Sequence, residues 1–281
     1  MDGQDAWVAE QQKLETPPRP DPVVNHITFT DITEALAAGL RDFRAESKFG
    51  LVFGLLYAVG GMLVFLTASA LRMPYFTYPL ATGFVLIGPL VAIGLYEVSR
   101  MRELGQTVTW GGIFRAIRQQ AGKEIGWMCF VVLFFTTMWI YQVRLLLALL
   151  LRNETMTSMA EFLTVVMTTP QGLLFLGVGH IIGAVLSIIL FSLTVVSFPI
   201  LLDRNIDFIT AMITSVRAVA TNPVPMLIWA VIIVATLVVS VLPMFLGLIV
   251  TLPILGHTTW HLYRRLIAPE LPEAEQAQPQ A

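Results

Sequence analysis

Charge is what this sequence has least of: Asp, Glu, Lys and Arg make up 13% of its 281 residues, about half the share carried by an ordinary soluble domain. Hydrophobic residues make up 56% and the mean hydropathy is +0.74. So thin a polar coat argues against the soluble enzyme and nucleic-acid-binding classes before any motif is sought. A net charge of −2 and a pI near 6.1 argue further against a polyanionic partner. The one cysteine, Cys129, excludes an internal disulfide framework and any CxxC metal or redox motif. No Walker motif, nucleophile elbow or GxGxxG stands in a suitable context, so no catalytic constellation is found. A basic stretch leading into an apolar run is missing from the first 24 residues, which argues against a secretory signal peptide.

Long apolar runs are what the sequence has instead. A helix needs about 20 apolar residues to cross a bilayer. Phe49 to Leu71 and Leu80 to Tyr96 are charge-free, with Arg72, Met73, Pro74 and Pro79 making a turn between them. Ile125 to Tyr141 begins a third span, which either stops there or runs on through Arg144 to Leu151. Gly172 to Leu202 is a fourth. From Ala218 to Tyr263 there is no Asp, Glu, Lys or Arg. As one helix that stretch would extend about 69 Å against a hydrocarbon core of about 30 Å. It must turn back, and Pro243 is the expected corner. The predicted fold is all-α and polytopic, with six transmembrane helices arranged as three hairpins. The membrane domain covers residues 25–267, flanked by disordered Pro- and Glu-containing tails at 1–24 and 268–281.

Cation placement predicts the topology. Of 17 Lys and Arg, only Arg72, Arg144 and Arg152 fall at the outer ends of the hairpins, twelve fall at the opposite ends and two lie in the N-terminal tail. The positive-inside rule then puts both termini in the cytoplasm, as an even span count requires. Each hairpin is preceded by a basic amphipathic segment: Asp31–Arg44, Trp110–Lys123 and Phe208–Ala220. In the first, Ile32, Leu36, Leu40 and Phe43 recur at helical spacing. Helices lying in the membrane interface are expected, with cytoplasmic helices packed on the bundle as the rival reading. Counting from Pro89, Tyr96, Glu97 and Arg100 stand at +7, +8 and +11; from Pro253, Trp260, His261 and Arg264 stand at the same offsets. Pro199 is followed by Asp203 and Arg204. Three copies of one unit follow, at about 31–100, 109–204 and 207–265.

The strings Gly88-Pro89-Leu90 with Leu95-Tyr96-Glu97-Val98-Ser99-Arg100, Phe198-Pro199-Ile200-Leu201-Leu202-Asp203-Arg204 and Leu252–Arg264 resemble those of a proteobacterial family of predicted integral membrane proteins with a domain of unknown function. The resemblance runs over about 25–267, and the last string is its most specific part. A looser similarity links Asp203–Pro223 with bacterial six-span proteins whose units join a membrane exit to an interfacial helix. The resemblance implies an inner-membrane location and supplies no catalytic residue.

The ionisable residues near the basic end form the candidate site: Glu97, Arg100, Asp203, Arg204, His257, His261 and Arg264. His257 and His261 share one helix face, a spacing that suits a metal or haem, with Glu97 and Asp203 as further ligand candidates. The competing expectation is a hydrogen-bonded polar cluster that locks the repeat units together, with no cofactor. Gly50-xxx-Gly54 and Gly179-xxx-Gly183 are expected to let helices approach closely. Asn153-Glu154-Thr155 fits a glycosylation acceptor, of no use in a bacterial inner membrane. Three functions compete: a non-enzymatic scaffold or accessory protein acting through the lipid bilayer, other membrane proteins or a second copy of itself; a small transporter or channel; and a metal- or haem-binding protein built on His257 and His261.

Overall fold

A computed structural model of the chain describes residues 21–70, 84, 88–120, 124–152 and 159–269. These are helical apart from short connections, and no strand occurs among them beyond an isolated bridge between Val24 and Ile267. In chain order the helices are α1 (Phe29–Ala45), α2 (Ser47–Ala70), α3 (Gly88–Glu103), α4 (Trp110–Gln120), α5 (Glu124–Leu150), α6 (Met159–Thr168), α7 (Pro170–Thr194), α8 (Ser197–Asp203), α9 (Phe208–Thr221), α10 (Pro223–Val241) and α11 (Leu248–Leu266). Their ends follow local chemistry. Thr169 caps α7 by accepting from Gly172 N, with Pro170 at the first helical position. Asp207 caps α9 by accepting from Thr210 N at 2.9 Å. Pro223 opens α10 directly after Asn222.

Four helical stretches are long and apolar enough to cross a membrane: Ser47–Thr67, Glu124–Leu150, Pro170–Asp203 and Pro223–Val241. Most of the first, second and fourth lies outside the packed interior, as a surface solvated by acyl chains allows. Residues 80–83 and 85–87 of the second expected span, Leu80–Tyr96, and the turn before it lie outside the described residues, as do Lys123, Asn153 to Thr155 and most of both tails. The stretch after Pro243 forms α11, whose half toward the C-terminus carries His257, His261, Arg264 and Arg265. It is the central helix of the protein, buried over most of its length between α1, α2 and α3.

Arg144 lies inside a continuous helix, because α5 runs on to Leu150. It stands twenty residues beyond Glu124, a rise of about 30 Å, which equals one hydrocarbon thickness. Its guanidinium sits 6.0 Å from the Tyr141 ring on an exposed face. Arg144 therefore marks one end of a charge-free helical segment and Glu124 the other.

The chain reverses between α10 and α11 at residues 242–247, which contain Pro243. Met244 and Phe245 both take positive φ there, 54° and 68°, and Phe245 is buried against Phe84. A second break falls between α7 and α8. Pro199 has no N–H to offer the Val195 carbonyl, which interrupts the ladder there, and the adjacent Val196 N–H donates out of its own helix to Ser215 Oγ of α9 at 3.1 Å.

The amphipathic helices turn an unexpected face inward. In α1 the buried stripe is Ile32, Ala35, Gly39 and Asp42, while Leu36 and Phe29 stay exposed. In α9 it is Ala211, Thr214, Ser215 and Ala218, while Ile209, Ile213 and Val216 are exposed. Small side chains face the bundle because the backbones come close: a Cβ on Gly39 would lie 2.6 Å from the amide nitrogen of Thr258 in α11. Helix α4 packs by Ile113 and exposes Phe114.

Candidate functional site

The ionisable groups of α1, α3, α8 and α11 meet at one end of the bundle. Asp42, at the end of the small-residue stripe of α1, is the hub. Its carboxylate accepts from Ser99 Oγ of α3 at 2.7 Å and lies 2.7 Å from His261 Nε2 of α11. It also pairs with the guanidinium of Arg102 in α3. Burial pulls the Asp42 carboxyl upward, but the hydrogen bonds from His261 and Ser99 and the charges of His261 and Arg102 outweigh it and hold the carboxyl below its ordinary range.

Ser99 also lies 2.8 Å from His257 Nδ1. Ser99 has one proton, and a carboxylate is an acceptor only, so that proton goes to Asp42 and His257 must donate through Nδ1–H. His257 Nε2 is left as a bare acceptor, fully buried and with no hydrogen-bond partner among the described residues. The order His–Ser–Asp is not that of a nucleophile triad, in which the imidazole stands between hydroxyl and carboxylate and removes the hydroxyl proton. Ser99 here is fully buried and gives its proton to an acid. The arrangement ties α1, α3 and α11 together.

Two further networks flank this one. Glu97, 2% exposed, pairs with Arg100 one turn along α3 at 2.8 Å. Asp203, the last residue of α8, accepts from Tyr263 Oη at 2.6 Å and from Arg264 at 3.0 Å. Arg264 also donates to Glu103 at 2.9 Å, and Glu103 accepts from Trp260 Nε1 at 3.0 Å. Arg204 donates to the carbonyl of Ala268. The seven candidate residues thus share one end of the protein but divide among separate contacts. Glu97 faces Arg100, Asp203 faces Tyr263 and Arg264, and His257 and His261 reach the same Ser99–Asp42 pair. Among the described residues no three His, Cys, Asp or Glu side chains converge on a point that could hold a metal ion.

The residues that sequence reasoning passed over are Asp42, Ser99, Arg102, Glu103 and Tyr263. Asp42 left one trace, its place three residues after Gly39 in the stripe of small residues on α1.

The glycine pairs differ. A Cβ on Gly50 would lie 3.0 Å from Pro253 Cβ, and one on Gly54 would collide with the Ile249 carbonyl, both in α11. A Cβ on Gly183 would press on the Trp139 ring at 2.8 Å, whereas one on Gly179 would make an ordinary 3.7 Å contact with Leu146.

A cavity of about 210 Å³ lies between α3, α7, α10 and α11, lined mainly by apolar groups. It opens sideways past Ser187 and Val234, both on exposed helix faces.

Residues 77–203 match a family described as predicted integral membrane protein (DUF2189). The match takes in the Gly88–Arg100 and Phe198–Asp203 strings and ends before Leu252–Arg264, so it is narrower than the 25–267 expected. No curated protein and no solved structure matches the chain.

Proposed function

We propose that this chain is a non-enzymatic accessory or scaffold protein of a bacterial inner membrane, acting through the lipid and protein contacts of its outer surface. It spans the membrane six times, with α3 and α11 completing the four apolar spans and both termini in the cytoplasm. Helices α1, α4 and α9 lie at the cytoplasmic interface. The small residues of α1 and α9 and Ile113 of α4 face the bundle, and Phe29, Leu36, Phe114, Ile209 and Ile213 face acyl chains.

The observation that carries the reading is the contrast between charge and cavity. The carboxylates of Asp42, Glu97, Glu103 and Asp203 are matched by cations or hydrogen-bond donors within the network. The cavity between the spans is lined mainly by apolar groups and opens past Ser187 and Val234 on exposed helix faces. Coupled transport calls for polar groups that converge on a cavity near the bilayer midplane.

Flux assays on proteoliposomes test the proposal. Purified protein in phospholipid vesicles should leave proton, sodium and potassium permeability at the level of empty vesicles. A protein-dependent flux that saturates would overturn it in favour of transport, and a Soret band or stoichiometric metal would overturn it in favour of cofactor binding.

A further inference from the structure

The lateral cavity has a chemical polarity that its apolar lining conceals. Toward the charged end of the bundle it is bounded by three hydroxyl-bearing residues, Tyr96, Thr194 and Thr259. Toward the opposite end it is bounded by Leu237 and Leu252, with Ser187 on the exposed rim. Two of the three hydroxyls are already engaged: Thr194 donates to Leu190 O at 2.7 Å and Thr259 to Leu255 O at 2.8 Å. Tyr96 is 5% exposed and lines the cavity. Its hydroxyl is not sealed in the packed interior but borders the open space, where it can donate to an acceptor that enters.

Geometry limits what that acceptor is. The opening faces the hydrocarbon, so an occupant enters from the bilayer. At about 210 Å³ the space is too small to enclose a drug-sized molecule, for which pockets of roughly 300–1,000 Å³ are usual. One hydrocarbon chain lying along it, with the rest of the molecule outside, fits better.

We propose that this cavity is a site for a glycerophospholipid of the leaflet at the charged end, with one acyl chain between α7, α10 and α11 and its ester carbonyl accepting from the Tyr96 hydroxyl. A diacyl lipid matches the polarity: its ester groups sit at the level of Tyr96, Thr194 and Thr259, and its methylenes run toward Leu237 and Leu252. The proposal rests on the membrane placement given above.

Native mass spectrometry of the full chain, extracted from its membrane in mild detergent, tests it. The wild-type protein should retain one phospholipid. Ser187→Phe, which fills the rim at an exposed position, should lose it. Tyr96→Phe keeps the ring and removes the donor, and should bind added phospholipid about 2–10-fold more weakly, the worth of one hydrogen bond. A bare wild-type protein, equal retention by Ser187→Phe, or a retained quinone or other isoprenoid would each overturn the site. Proteoliposome flux separates this proposal from the functional one. A flux-competent protein that still carries the lipid overturns the accessory role and leaves the site standing, while silent vesicles with no bound lipid do the reverse.

Discussion

Gly54 of α2 lies against the carbonyl of Ile249, the carbonyl that Pro253 leaves without its helical donor. Proline four residues on cannot supply an N–H, and its ring pushes that carbonyl out of line. A glycine on the neighbouring helix lets the α2 backbone close over that carbonyl, where any Cβ would collide with it. The two sequence features belong to one device. Gly54→Ala should lower the melting temperature in detergent, at a cost of about 1–3 kcal/mol from overpacking. Gly179→Ala should do the opposite, gaining about 0.5–1 kcal/mol, because its new methyl meets only Leu146 at 3.7 Å. Equal effects at the two sites would show that Gly54 is not the closer contact.

The Asp42 hub supports a second prediction. Charge-assisted hydrogen bonds contribute about 1.5–3 kcal/mol each. Asp42→Ala removes the partner of Ser99, His261 and Arg102 together and should destabilise more than His261→Ala or Ser99→Ala alone. Adding Ser99→Ala to Asp42→Ala should cost less than Ser99→Ala does alone, because the hydrogen bond the two side chains share is already gone and only the one from His257 Nδ1–H remains to be lost. Fully additive melting shifts across that double-mutant cycle would show that the contact is not made.

Much of this hub was illegible in the sequence, for a physical reason. Apolar runs are read by length, so the four apolar spans and the reversal at Pro243 stand out. Packing between helices is read by which face is apolar, and that rule fails where lipid is the solvent. In α1 and α9 the large apolar residues, Leu36, Ile209 and Ile213, point away from the bundle, while Gly39, Asp42, Thr214 and Ser215 point into it. A lone aspartate three positions after a glycine resembles a solvated residue until α11 is placed beside it. His257 and His261 were visible as a pair, but their shared partners came from helices more than 150 residues earlier.

Acid should unfold the protein from this end. Asp42 is held below its ordinary range despite burial. Asp31 is lowered by the Thr28 backbone N–H, and Asp207 by Thr210, both at helix N-termini. A carboxyl depressed in the folded state contributes stability that is present above its unfolded value, about 3.9, and is lost as pH falls through the folded value. Melting temperature should therefore be steady down to about pH 4 and fall steeply below it. The Asp42→Asn variant should start lower and fall less steeply, whereas an unchanged slope would remove Asp42 from the acid transition.

Asn222 closes the two ends of the described chain over the junction of α9 and α10. Its Oδ1 accepts from the Ile27 N–H at 2.8 Å, and its Nδ2 donates to Asn25 O at 2.9 Å and Ala218 O at 3.2 Å. Residues 23–25 then pair with 266–268, Asn25 N donating to Leu266 O at 2.8 Å and Ala268 N to Val23 O at 3.0 Å. A carboxylate at 222 would keep the acceptor for Ile27 and lose both donations, with a negative charge 3% exposed facing two carbonyls. Asn222→Asp should therefore be worse than Asn222→Ala, which loses about 1–3 kcal/mol by leaving a buried N–H and a carbonyl unsatisfied. Amide hydrogen exchange gives the local readout. Protection at Asn25 and Ala268 should fall in both variants and that at Ile27 most in the alanine variant, which lacks its acceptor, while protection in α5 holds. Retained protection at Ile27 in the alanine variant would mean that the segment is held by its pairing with Leu266 and Ala268 and not by Asn222.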